Sequence, residues 1–238
     1  MDAAGPHLWQ PQQSFRVAAE VPAIYPKSTT RIARRVDLFH YHLVTSHVRE
    51  VEARYLGKLG FELIARYGRV GEDQVHFEAG VSWDELEEKG FRHRLSELER
   101  GAVNVVVQPG QWALPRVDHV GVALGDDEFR EVLERATKLR LRVQEYPGRR
   151  TFIATGAGYR LEVHPQRDWI DELLASAAEL RLTELQLRAD DPDAKADALA
   201  AVLELAASDG EVEIGEARIR FVPDGPRGRP ELYGEIFS

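Results

Sequence analysis

The stretch VDHVGVALGDDEFREVLERATKLRLRVQEYPGRRTFIATGAGYRLEVHP, Val117 to Pro165, decides the fold. It opens with the apolar run VDHVGVAL, which predicts a strand from Val117 to Leu124. Acidic residues then start a helix from Asp126 to Leu139, and three further strands are predicted over Leu141–Tyr146, Arg150–Thr155 and Tyr159–His164. His119 lies on the first strand and Glu162 on the last. Imidazole and carboxylate are both side chains that ligate metals.

The same order occurs upstream. From Val36 the chain reads VDLFHYHLVTSHVREVEARYLGKLGFELIARYG, again a strand, a helix of apolar spacing and a strand. Setting His42 against His119 aligns the two first strands and brings Leu59 close to Leu139. QVHFEAG (Gln74–Gly80) then takes the place of RTFIATG, and VNVVVQPG (Val103–Gly110) matches the last strand, with Pro109 against Pro165. Between these runs lies an extra segment, Val81 to Gly101, in which SWDELEEKG predicts a short helix. A third unit follows. LRLTELQLRADDPDAKADALAAVLELAASDG reads as a strand and a helix started by Asp190, Asp191 and Pro192. EVEIGEARIRFVPDG reads as a hairpin, and RPELYGEIF as a last strand. In this unit Glu184 stands where His119 does and Glu235 near the place of Glu162, so the unit is read as structural. The expected organisation is an arm over 1–35, a first βαβββ module over 36–110 with the insertion at 81–101, a second over 111–166, and a linker helix with a degenerate third module over 167–238.

A His on the first strand and a Glu on the last strand of a repeated βαβββ unit resembles the vicinal oxygen chelate superfamily. Glyoxalases, fosfomycin and bleomycin resistance proteins and extradiol dioxygenases belong to it. The resemblance covers Val36 to Arg167 well and Leu180 to Phe237 weakly. It implies an α+β fold in which modules one and two pair into a cupped, open, barrel-like sheet around a metal site. Its ligand positions fall on His42, His119 and Glu162, with the fourth position occupied by Val106. Strand alternation lets the three converge on one face. His40 lies two residues before His42 on that face, and the alignment with His119 selects His42. Two His and one Glu at these positions resemble extradiol dioxygenases, which implies Fe(II) or Mn(II), with Zn or Ni as alternatives, and a catechol-like or other vicinal-oxygen substrate. His164 faces the same side as Glu162 and is a candidate acid and base or a supporting group. Tyr159 is a candidate cavity hydroxyl. His76 and Glu78 form a further pair on one strand face. Two rivals remain: an isomerase or lyase of glyoxalase type, which Val106 cannot serve as base, and a non-catalytic drug binder with Trp83, Trp112 and Phe152 lining a groove.

Composition narrows the classes. The 238 residues carry a formal charge of −9, which argues against a nucleic-acid surface, and the RIARR run at Arg31–Arg35 reads as a solvated arm. No apolar run has the length of a membrane helix. The N-terminal MDAAGPHLWQPQQ does not read as a secretory signal, and the absence of Cys suits a reducing cytoplasm. Because modules of this kind work in pairs, a third without a fourth predicts a homodimer joined through module three.

Overall fold

A computed structural model describes residues 36–146, 150–165, 169–176 and 179–238; the expected N-terminal arm lies outside them. Module one contains β1 (Val36–Thr45), α1 (Val48–Gly57), β2 (Glu62–Val70), β3 (Asp73–Glu78), α2 (Trp83–Glu88), β4 (Phe91–Arg100) and β5 (Val103–Pro109). Module two contains β6 (Arg116–Leu124), α3 (Asp126–Lys138), β7 (Val143–Tyr146), β8 (Arg150–Ala154) and β9 (Arg160–Pro165). After α4 (Trp169–Ala175), module three contains β10 (Leu182–Arg188), α5 (Pro192–Leu203), β11 (Ala207–Ser208), β12 (Glu211–Ile214) and β13 (Ala217–Val222), and β14 (Glu231–Phe237) closes the chain.

One helix crosses over within each module, so the first strand pairs in parallel with the last: β1 with β5, β6 with β9, β10 with β13. β4, β8 and β12 add antiparallel to those last strands, and the remaining strands of each module continue antiparallel outward from them. All fourteen strands join one curved, unclosed sheet, in which β1 and β6 pair antiparallel and hold modules one and two together. The helices have local causes. Asp126, Asp127 and Glu128 sit in the first turn of α3 and Arg135 and Lys138 in its last, complementing the helix dipole. Asp191 caps α5 by accepting from the Ala194 amide, with Pro192 at its first position. The main core lies beneath these helices and includes Leu43, Tyr55, Val105, Val122, Ile153, Leu161, Leu185, Leu199 and Ile219, all fully or nearly fully buried. Among the described residues no helix is long and apolar enough to cross a membrane.

Three strand assignments differ from the sequence reading. The segment 81–101 is not wholly an insertion: β4 lies within it and runs between β2 and β5, the place that β8 takes in module two. The added pieces are β3, an edge strand on β2, and α2, which carries a Ser82–Glu85 capping box. In module three the last strand is β13, not RPELYGEIF. That final segment is β14, which pairs antiparallel with β10. β14 covers the edge of β10 from within the same chain.

The β1–β6 ladder has two bulges. Its register steps from Leu38↔Val122 to His40↔Gly121, leaving Phe39 as an extra residue, and from His42↔His119 to Leu43↔Val117, leaving Asp118. Each bulge residue immediately precedes a histidine. The β10–β14 ladder repeats the device, with Thr183 extra before Glu184 and Tyr233 extra before Gly234. A bulge shifts the alternation of its strand and re-aims the residue beside it. Phe39 accordingly leaves the main core and packs with Ala123, Ile170 and Leu173 of α4, beside the His164 ring.

Candidate metal centre

The bulges fix which residues correspond. Phe39 matches Asp118, so His40 matches His119 and His42 matches Gly121. The parallel ladders agree. His42 lies opposite Val106 and Gly121 opposite Glu162, which keeps Val106 as the counterpart of Glu162 only if His40, not His42, corresponds to His119. Gly121 is required by packing: a Cβ there would lie 2.8 Å from the His40 Cβ across the strands. The missing side chain makes room for the His40 ring.

Three donor atoms meet on the concave face. His40 Nε2 lies 3.1 Å from His119 Nε2, His119 Nε2 lies 2.7 Å from Glu162 Oε2, and His40 Nε2 lies 3.7 Å from the same oxygen. All three residues are buried. Their protonation follows from their outer partners. Asn104 directs its amide nitrogen to Glu97 and Glu99, at 3.1 and 2.8 Å. Carboxylates accept, so the Asn104 oxygen is the atom that faces His40 Nδ1, 2.7 Å away, and Nδ1 donates to it. Likewise His119 Nδ1 donates to Asp118 Oδ2 at 2.8 Å. Asp118 is itself held by Arg160 and, at 2.6 Å, by Arg229. Both imidazoles therefore spend Nδ1 on an outer partner and turn Nε2 toward each other and toward a carboxylate oxygen. Such an arrangement lets both Nε2 atoms and the carboxylate oxygen serve as ligands to one cation.

The acid–base balance points the same way. Burial lowers His40 to about 3, outweighing the raising influence of Glu162. Burial also holds His42 well below the ordinary histidine value, helped by the neighbouring His119. For Glu162, burial alone would raise the carboxyl, but the His119, His164 and His40 side chains around it hold it well below the usual range. Asp118 behaves similarly. Its burial penalty is overcome by His119 and Arg160, and it stays ionised.

Two buried atoms in this cluster have no hydrogen-bond partner, His42 Nε2 and Glu162 Oε2. Glu162 Oε2 lies 2.7 Å from His119 Nε2, but the contact lacks hydrogen-bond geometry. His40, His42 and His119 each offer a nitrogen within 4.8 Å of the others. Ligands at adjacent corners of an octahedral cation lie roughly 3 Å apart when their bonds are about 2.1 Å. The separations among His40, His119 and Glu162 are close to that, and the donor set fits a divalent cation.

The structure thus brings together His42, His119, Glu162 and His164, and adds His40. His164 donates from Nε2 to Glu162 Oε1 at 2.6 Å and packs edge-on against Phe39 and Trp169, so it holds the carboxylate in place. Tyr159 is elsewhere: its hydroxyl donates to the Lys195 carbonyl and its ring lies against Phe221 of module three. His76 stacks on Tyr67 at the β3 edge. Of the groove candidates, Phe152 stands edge-on 4.9 Å from the His119 ring. Trp83 instead donates to Glu52 beneath Arg66, and Trp112 lies under Arg116 and Arg229. Asn104 was missed because its role appears only across strands, and Asp118 because it sits at the bulge and bonds the ring of the next residue.

Module three carries the same positions with different chemistry. Glu184 accepts from Arg218 at 2.7 Å and from Gln186 at 2.6 Å, Gly234 replaces the second histidine, and Arg220, opposite Gln186, stands where Glu162 does. Glu235 is not the counterpart of Glu162. It lies on β14 opposite Leu185 and accepts from Tyr55 and Arg54 of α1.

No protein-family model and no curated protein matches the sequence. Solved structures do match. A catechol 2,3-dioxygenase aligns over 85% of this chain and 71% of its own, with a TM-score of 0.55 and 12% identity. A variant of 4-hydroxymandelate synthase from Streptomyces coelicolor aligns over 86% and 71%, with a TM-score of 0.54 and 12% identity. BphC, a halotolerant catechol dioxygenase, aligns over 81% and 67%, with a TM-score of 0.52 and 15% identity. At such identities the likeness is one of architecture. The chain has the vicinal oxygen chelate fold, in a form of three modules and a closing strand.

Proposed function

We propose that this chain is a metal-dependent enzyme acting on a catechol-like, vicinal-oxygen substrate in the manner of an extradiol dioxygenase. His40, His119 and Glu162 would hold the metal, Fe(II) or Mn(II) by donor type. The observation that carries this reading is the convergence of two imidazole nitrogens and a carboxylate oxygen within 3.7 Å. A divalent ion bound by two His and one carboxylate favours the ionised form of substrate oxygens and leaves adjacent positions open to them and to dioxygen.

The protein's own contribution is orientation. Asn104 and Asp118 fix both rings through Nδ1, His164 fixes Glu162 through Oε1, and burial keeps water from competing for the donors. Phe152 and, 6.1 Å from it, Tyr146 give the site an aromatic wall suited to a planar ring. His42 borders the same space with its free Nε2. Val106, in the place of a fourth ligand, supplies no carboxylate to abstract a proton, which favours an oxygenase over a glyoxalase-type isomerase.

The test is anaerobic loading with Fe(II), addition of catechol, and admission of oxygen. Oxygen uptake with a yellow ring-opened product is the expected result. Turnover that requires metal but no oxygen would assign an isomerase or lyase instead, and protein that retains no metal would assign a binder.

A further inference from the structure

Arg150 stands at the edge of the metal centre without a hydrogen-bonded partner of its own there. It lies on β8 opposite Tyr146 and on the same face as Phe152, whose cross-strand neighbour is Glu162. Its Nη1 is 3.7 Å from Glu162 Oε1, beyond hydrogen-bond reach, and that oxygen is already taken by His164 at 2.6 Å. The Arg150 side chain is 40% exposed, whereas that of Glu162 is 4% exposed. The other arginine on this wall is committed: Arg160 pairs with Asp118 and lies over the Phe152 ring.

A cation held at Glu162 Oε2 changes the meaning of Arg150. The single charge of Glu162 would then face a divalent ion on one oxygen and a guanidinium near the other. One carboxylate cannot balance both, so a further anion within reach of the guanidinium would be favoured there. The planar fork of Arg is suited to a carboxylate, and the Phe152 ring, 4.9 Å from His119, offers a flat wall beside the same space.

We propose that Arg150 is the anion-binding corner of the substrate pocket, and that the substrate carries a carboxylate in addition to its two vicinal oxygens. The inference rests on the metal reading above. A dihydroxybenzoate is the simplest compound of this class.

Calorimetric titration of the anaerobic Fe(II)-loaded protein tests it, with oxygen excluded so that only binding is read. The probes are catechol, 2,3-dihydroxybenzoate and 3,4-dihydroxybenzoate. At least one carboxylated probe is expected to bind roughly 10- to 100-fold more tightly than catechol, the range of a charge-assisted hydrogen bond. Arg150→Gln should remove that margin while leaving catechol affinity and iron stoichiometry unchanged, and Arg150→Lys should restore part of it. Equal binding of all probes by the unaltered protein, or equal weakening of all of them in Arg150→Gln, overturns the inference and leaves the metal site standing. Loss of iron from Arg150→Gln also overturns it, making Arg150 a structural partner of Glu162. Unaltered protein that holds no iron brings down the metal reading, and this inference with it.

Discussion

The β1–β6 pair and the β10–β14 pair are two versions of one backbone. Both are antiparallel, both carry a bulge on each strand, and in both the residue after each bulge faces the concave side. The first pair places His40 and His119 there and brings Glu162 to them; the second places Glu184 and Gly234 there, with Arg220 in the position of the Glu. In one, two ring nitrogens and a carboxylate oxygen face one another across a gap. In the other, Arg218 and Gln186 already donate to Glu184. The backbone therefore supplies a place where donor atoms converge, and the side chains alone decide whether a cation is needed to satisfy them.

The most severe way to break this comparison is to remove a donor. His40→Ala, His119→Ala and Glu162→Ala are each expected to abolish metal retention, read by elemental analysis of protein purified without chelator. Retention by His40→Ala together with loss by His42→Ala would overturn the correspondence drawn from the bulges. His42→Ala is expected to stay loaded.

Packing at the second pair comes next. Leu185 is fully buried and lies opposite Glu235 between the two bulges of β10 and β14. Leu185→Ala is expected to destabilise the fold by about 2–5 kcal/mol, measured by denaturant unfolding. A cost below about 1 kcal/mol would mean that β14 is not packed on β10 as described. Asn104→Leu keeps the size of the side chain but removes the acceptor of His40 Nδ1. It should lower metal affinity by roughly 10- to 100-fold, with Asn104→Asp recovering most of the loss. If both variants bind metal alike, Asn104 does not orient His40. The smallest effect is expected at Glu184→Gln, which should leave metal content unchanged and alter stability by about 1 kcal/mol or less, because its partner Arg218 is 42% exposed. Any fall in metal content in that variant would show that the second pair is not inert.

Much of this was legible in the sequence. Apolar periodicity gave three repeats, and His119 and Glu162 fell on the first and last strands of the best preserved one. The alignment of His42 with His119 differs from the correspondence of the ladders, because counting by twos assumes an unbroken strand and Phe39 breaks it. A signal was present. The core-facing residues run Leu38, Tyr41, Leu43 in β1, Val117, Val120, Val122 in β6 and Leu182, Leu185, Leu187 in β10. The wider first gap marks the bulge in all three. β4 was hidden by its composition, FRHRLSELER, since one of its faces turns Glu97 and Glu99 toward Asn104 rather than toward apolar neighbours. Tyr159 was misplaced for another reason. It packs against α5 and β13, and a contact between modules leaves no trace in the pattern of one.

β14 has a consequence for how copies of this chain meet. Until it docks, the backbone edge of β10 is open to any extended segment. Within one molecule β14 acts as a donor strand that fills its own acceptor groove. Two molecules that exchange β14 would keep every hydrogen bond of that ladder and become an interlocked pair, with the segment between Val222 and Glu231 as the hinge. A dimer formed in this way would appear on refolding at high protein concentration and disperse only slowly on dilution, whereas a chain cut before Glu231 could neither close its own edge nor exchange.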